Sequence, residues 1–162
     1  MTKLLMLAGD GPSTRMLYHA VRSHFDIAKV IIEKPVSKRE LLLRRIKRFG
    51  YWKVARQVAF QGGLVPFLRR EACGRFLSIQ KQHGLIDLPI PESAIVRVES
   101  INDPVARELL QSMAPDAILV NGTRIISKEM LAMTPAPFFN IHAGITPSYR
   151  GVHGGYWALA AG

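Results

Sequence analysis

The first thirty residues constrain the fold more than any other part of the chain. Lys3 to Ala8 (KLLMLA) is an apolar run that stops at Gly9, the pattern of a buried strand. GDGPST follows, with Pro12 and Ser13 placed to open a helix. That helix is expected to run to about His24, with Met16, Leu17, Ala20 and Val21 forming its buried stripe. Ala28 to Ile32 (AKVII) is a second, β-branched strand. Strand, glycine turn, helix and strand in so short a span make a βαβ unit, which implies a parallel sheet.

The same rhythm returns after the PIP turn at residues 89–91. Ile95 to Val98 is expected as a strand, Asp103 to Met113 as a helix and Ala117 to Val120 as an apolar strand. Ser127 to Met133 is expected as a short helix with Ser127 as its cap and Met130 and Leu131 facing inward. Phe138 to Ile141 is the next strand. The expected class is α/β: a Rossmann-like open, mostly parallel sheet with helices on both faces.

Between the two halves the rhythm breaks, and the charge says why. From Val36 to His83 there are twelve Lys and Arg against two acids, a net of +10, which equals the net charge of the whole chain. A neutral scaffold carrying a basic helical insertion at about 36–85 is the reading. Glu40 to Phe60 reads as one helix, Gly62, Gly63 and Pro66 as punctuation, and Phe67 to about Gln82 as a second helical stretch.

With 162 residues, 48% hydrophobic and 21% charged, the chain suits a single folded domain, 1–162, rather than disorder. A single cysteine, Cys73, excludes an internal disulfide and a four-thiolate zinc site, and no metal site is expected. The apolar run at the N-terminus is too short for a signal peptide, and VAFQGGLVPFL is too short for a membrane span. A cytoplasmic protein is expected.

Ligands of open parallel sheets bind at the carboxyl ends of the strands. Three such ends are rich in polar residues and glycine. The first, with Gly9, Gly11 and Ser13, offers backbone N–H groups and a helix N-terminus to a phosphate or diphosphate; an ordinary βα turn is the bland alternative. Thr14 stands where the last glycine of a dinucleotide fingerprint would fall, so NAD binding with Glu33 is the lesser reading. The second end is Asn121 to Ser127, which also reads simply as a strand-to-helix turn. The third is Asn140 to Leu159. There Asn140 and His142 alternate with Ile141 and share one side of a strand, where an amide and an imidazole can hold an oxyanion. Tyr149, Arg150 and His153 follow in a loop with no evident core purpose.

Phe138 to Gly151 resembles the signature of the folate-dependent formyltransferases, carried by Asn140, His142, Pro147, Arg150 and Gly151. That family includes glycinamide ribonucleotide, methionyl-tRNA and amino-sugar formyltransferases. The resemblance covers most of the chain outside the basic segment. It implies formyl transfer from N10-formyltetrahydrofolate to a primary amine, with His142 and Asn140 stabilising the oxyanion. It implies that Arg124, Ile125 and Ile126 line the pterin pocket through backbone groups. Gly9, Gly11, Ser13, Thr123, Tyr149 and Arg150 would face the acceptor.

Two departures qualify the resemblance. Gly144-Ile145-Thr146-Pro147 replaces the usual Ser-Leu-Leu-Pro, so a loop serine is missing. The family aspartate that orients the histidine is expected beyond Gly162, and these residues alone are expected to be inactive. Tyr156 and Trp157 are similar to the aromatic pair of sugar-nucleotide formyltransferases, so the favoured acceptor is a nucleotide-activated amino sugar, with methionyl-tRNA behind it. Deformylase hydrolysis and a non-catalytic RNA- or membrane-binding module are the rivals. The basic segment has three readings: a solvated hairpin whose leucines pack on the domain, an RNA surface, or an interfacial helix on the inner face of an anionic membrane.

Overall fold

The computed structural model describes residues 2–142, Ser148 and 154–161. Its core is a five-stranded, all-parallel sheet in the order β3-β2-β1-β4-β5. The strands are β1 (Lys3–Gly9), β2 (Asp26–Glu33), β3 (Ile95–Val98), β4 (Ala117–Asn121) and β5 (Phe138–Asn140). The α-helices are α1 (Pro12–Val21), α2 (Lys38–Phe49), α3 (Tyr51–Gln82), α4 (Pro104–Met113), α5 (Lys128–Leu131) and α6 (Gly154–Ala160). Strand order reverses between β1 and β4, the switch point at which such sheets open a crevice.

Two apolar layers flank the sheet, as alternation along each strand requires. Leu5 and Leu7 of β1, Ile31 of β2 and Ile118 and Val120 of β4 pack with Ala106 and Leu110 of α4 and Met130 of α5. Met6 and Ala8 point the other way, with Val30 and Ile32, onto Tyr18 of α1. The buried positions of α1 are Thr14 and Tyr18. The expected stripe of Met16, Leu17, Ala20 and Val21 was displaced: Leu17 packs at the margin of the core and Ala20 is exposed. The shift arises because a polar residue, Thr14, takes a buried position once its hydroxyl has partners.

The short helix α5 is capped as the sequence implies, Ser127 Oγ accepting the N–H of Met130 at 3.1 Å. Met130 is buried within it, whereas Leu131 is 43% exposed and does not face inward.

The chain divides into two compact units, residues 1–34 with 87–162, and residues 35–86. In the second unit the helix break falls at Gly50, not at Gly62, Gly63 or Pro66. Gly50 has φ +81°, open to glycine and costly for other residues, so the chain turns there from α2 into α3. The helix α3 then continues through Pro66. Pro66 has no N–H for the carbonyl of Gly62, so α3 continues past it without that one ladder hydrogen bond. Among the residues of α2 and α3, only Val54 is buried.

Candidate functional site at the carboxyl ends of three strands

The described candidate residues gather at the carboxyl ends of β1, β4 and β5, which are neighbours in the sheet. Gly9, Gly11 and Ser13 lie at the first, Thr123 to Ile126 follow the second, and Asn140 ends the third. Tyr149 and Arg150, like Pro147, Gly151 and His153, lie outside the described residues.

The β1 end is tied to the β4 end by a polar cluster. Thr14 Oγ1 donates to the Gly9 carbonyl at 2.6 Å, and Asn121 Nδ2 donates to Thr14 Oγ1 at 3.0 Å and to Ser13 Oγ at 3.2 Å. Thr14 and Asn121 are both buried, so these bonds cannot be traded for water. Gly9 is required by close approach, because a Cβ there would stand 2.6 Å from the carbonyl oxygen of Gly122. Gly11 is different: its surroundings are open, and it cannot cap α1 because it has no side chain. The N-cap of α1 therefore supplies no side-chain acceptor to its first-turn amides, and Ser13 keeps a hydroxyl proton to donate.

Beside this turn is a cavity of about 250 Å³, lined by Asp10, Thr14, Arg15, Asp87, Glu92 and Arg97 among others. Its cations are paired, Arg15 with Asp87 at 2.6 Å and Arg97 with Glu92 at 2.9 Å. The hydrogen bond to Asp87 is the main reason the Arg15 guanidinium is held above its ordinary, already high value.

The segment after β4 is held by a carboxylate. Glu33, 4% exposed, accepts the backbone N–H of Ile101 at 3.1 Å and that of Arg124. The Arg124 guanidinium stands 3.5 Å from the same carboxylate and donates to the carbonyls of Lys34 at 2.6 Å and Glu99 at 2.9 Å. Glu33 is thus committed to protein groups, and no ribose role is left for it. Asn102 completes the clamp: its Nδ2 donates to the Ile125 carbonyl at 3.0 Å and its Oδ1 accepts from Ser127 N at 2.8 Å. Pinned on both sides, the Ile125 side chain is 91% exposed, while Ile126 packs on the core. The clamp residues Glu33 and Asn102, and Asn121 of the polar cluster, are not singled out as a set by the sequence. Their partners lie far away along the chain; for Glu33 and Asn121 the signal that could have found them is a polar residue at the end of a buried apolar run.

Asn140 pairs in register with Val120, and the N–H of Ile141 donates to the Val120 carbonyl at 2.9 Å. Pairing therefore continues one residue beyond β5. Because Val120 belongs to the layer that includes α4 and α5, Asn140 projects from that face, the face on which Ile126 packs. Asn121, one residue on, projects from the α1 face. Asn140 is exposed and His142 half-buried. This arrangement offers an amide and an imidazole at one strand end, a rigid backbone edge on the same face, and an open helix start on the other. Among the described residues no group of three His, Cys, Asp or Glu could hold a metal ion.

The chain is similar to known proteins. The chain is 32% identical over 97 residues to methionyl-tRNA formyltransferase of Chlorobium chlorochromatii, covering 60% of this chain and 29% of that protein. It is 36% identical over 78 residues to the methionyl-tRNA formyltransferase of Koribacter versatilis, covering 48% and 24%. The chain thus spans under a third of the length of these relatives. Its fold is that of phosphoribosylglycinamide formyltransferase from Streptococcus pneumoniae, with a TM-score of 0.53 at 17% identity over 100% of this chain and 68% of that one. The formyl transferase family model matches residues 69–162, more than half of the chain, and the chain belongs to that family.

Proposed function

We propose that the chain takes part in formyl transfer from N10-formyltetrahydrofolate to a primary amine. The observation that carries this is Asn140, with His142 two residues on, at the exposed end of β5, on the sheet face where Ile126 of the clamped segment packs. The amine nitrogen attacks the formyl carbon, and the carbonyl oxygen gains negative charge. The Asn140 amide and the His142 imidazole donate to that oxygen, so the intermediate is stabilised more than the starting state. Collapse breaks the bond to N10, which takes a proton as the amine nitrogen loses one. The residues fit the donor: Arg124 to Ile126 form a fixed edge whose remaining backbone groups can meet a flat heterocycle, with the exposed Ile125 side chain against its face.

The acceptor favoured by the sequence is a nucleotide-activated amino sugar. The uncapped start of α1 at Gly11 supports a diphosphate there, with Ser13 and Thr123 beside it. A second reading, the amine of methionyl-tRNA, is supported by the relatives named above. Both acceptors suit a cytoplasmic protein. Transfer of a labelled formyl group to each acceptor decides between them. In a longer form of the protein that supplies the family aspartate, His142→Ala and Asn140→Ala are each expected to slow transfer by roughly 10²–10³-fold while folding normally. Transfer undiminished by both substitutions would remove these residues from the reaction.

A further inference from the structure

The helical unit 35–86 presents a surface that neither acceptor explains. Fourteen large apolar side chains between Leu41 and Ile79 are exposed, and within α2 and α3 only Val54 is buried. The same unit has all of the chain's net charge of +10. Exposed apolar surface on this scale marks an interaction site, and here it coincides with a dense field of cations.

We propose that this unit docks on the surface of an anionic phospholipid bilayer, with the corner at Gly50 seated at headgroup level. Phe49, Tyr51 and Trp52 are all exposed at that corner, Trp52 at 80%. Arg48 lies 5.1 Å from the centre of the Phe49 ring, and Lys53 and Arg56 line the same concavity as the aromatics. Aromatic rings beside cations suit the zone between phosphate and acyl chain, where one part of each side chain meets lipid and the other meets charge.

The adjoining helices have the matching pattern. On α2, Leu42, Ile46 and Phe49 form one stripe, and Arg44, Lys47 and Arg48 face away from it at helical spacing. On α3, residues 57–68 carry no charge and are bracketed by Arg56 and Arg69. Twelve helical residues extend about 18 Å against a hydrocarbon core of about 30 Å, so this stretch lies along a bilayer and does not cross it. No described helix is long and apolar enough to cross. RNA would use the cations but would leave the leucines, valines and phenylalanines in water, and this apolar load is what favours lipid.

The test uses the whole chain, with Trp157→Phe so that Trp52 is the sole indole reporter, and vesicles of phosphatidylcholine with or without phosphatidylglycerol. The expected result is co-sedimentation with the anionic vesicles alone and a blue shift of Trp52 emission. Lys53→Gln and Arg56→Gln should each weaken partitioning about fivefold. Phe49→Glu with Trp52→Glu should abolish it, with helix content unchanged by circular dichroism. The proposal is overturned if anionic vesicles are not bound, if the aromatic double variant binds them as well as the parent, or if an RNA hairpin is bound and vesicles are not.

Discussion

The carboxylate of Glu33 accepts the backbone N–H of Arg124 while the Arg124 side chain stands 3.5 Å from that same carboxylate. One residue thus grips another at both its main chain and its side chain, across the ends of β2 and β4. Glu33→Ala leaves the N–H groups of Ile101 and Arg124 without their acceptor in a buried place, and the expected loss of stability is about 3–5 kcal/mol. Glu33→Gln keeps one acceptor oxygen and should cost less, about 1–3 kcal/mol. Urea denaturation measures both losses. Hydrogen exchange at Ile126 and Ser127 should rise in both variants, and unchanged exchange would show that the segment is held by something else.

The two glycines of the first turn should respond oppositely. Gly9→Ala places a methyl group 2.6 Å from the Gly122 carbonyl oxygen, and backbone must shift to admit it. A loss of about 1–3 kcal/mol is expected. Gly11→Ala meets open space in an extended conformation and should change stability by no more than about 0.5 kcal/mol. If Gly11 faces the acceptor, the same substitution raises KM for it. Thermal melts beside steady-state kinetics separate fold from ligand.

Asn121 and Thr14 should prove energetically coupled. Asn121→Ala removes the donor to Thr14 Oγ1 and Ser13 Oγ, and Thr14→Val removes the shared hydroxyl. Each single change is expected to cost about 1–3 kcal/mol. In a double-mutant cycle the two should depart from additivity by at least about 0.5 kcal/mol. Strict additivity would mean that the hydroxyl and amide act independently.

Glu129 gives a pH signature for the start of α5. Its own backbone N–H, followed by the Ser127 hydroxyl, holds its carboxyl below the ordinary value of 4.5. Because the folded value is depressed, its stabilising effect is complete above pH 4.5 and is lost as pH falls through the folded value. An NMR titration of the Glu129 side chain should show the depression, and Ser127→Ala should move the midpoint back upward. A midpoint unmoved by that change would leave Ser127 out of the effect.

Much of the sheet was legible because strands covered on both faces read as unbroken apolar runs, as KLLMLA and AILVN do. The glycine turn and Pro12 fixed where α1 starts, and Ser127 fixed α5. What failed was local punctuation without context. Gly62, Gly63 and Pro66 looked like stops, yet α3 passes through them, while the true corner is the single Gly50. The clamp built from Glu33 and Asn102, and the Asn121 cluster beside it, were illegible for a different reason. A carboxylate or amide of this kind is defined by partners that the fold brings from 23 to 108 positions away. Asn140 was legible as a strand-end residue and pairs in register with Val120, whereas His142, expected on the same strand, lies two residues past the end of β5.

The basic unit leaves the sheet scaffold after Lys34 and returns at Asp87, and both stubs are anchored in the scaffold itself. Lys34 N–H donates to the Val98 carbonyl at 2.9 Å, and Asp87 is bound by Arg15 at 2.6 Å. The pairing of β2 with β3 runs in register without help from the residues between them. Lengthening a connection costs chain entropy only slowly, about 0.6 kcal/mol per doubling. The junction therefore behaves as a socket: whatever is plugged into it can be exchanged, enlarged or lost with little consequence for the pairing of β2 with β3. The sheet can thus host a different cassette at this point while its strand register stays as it is.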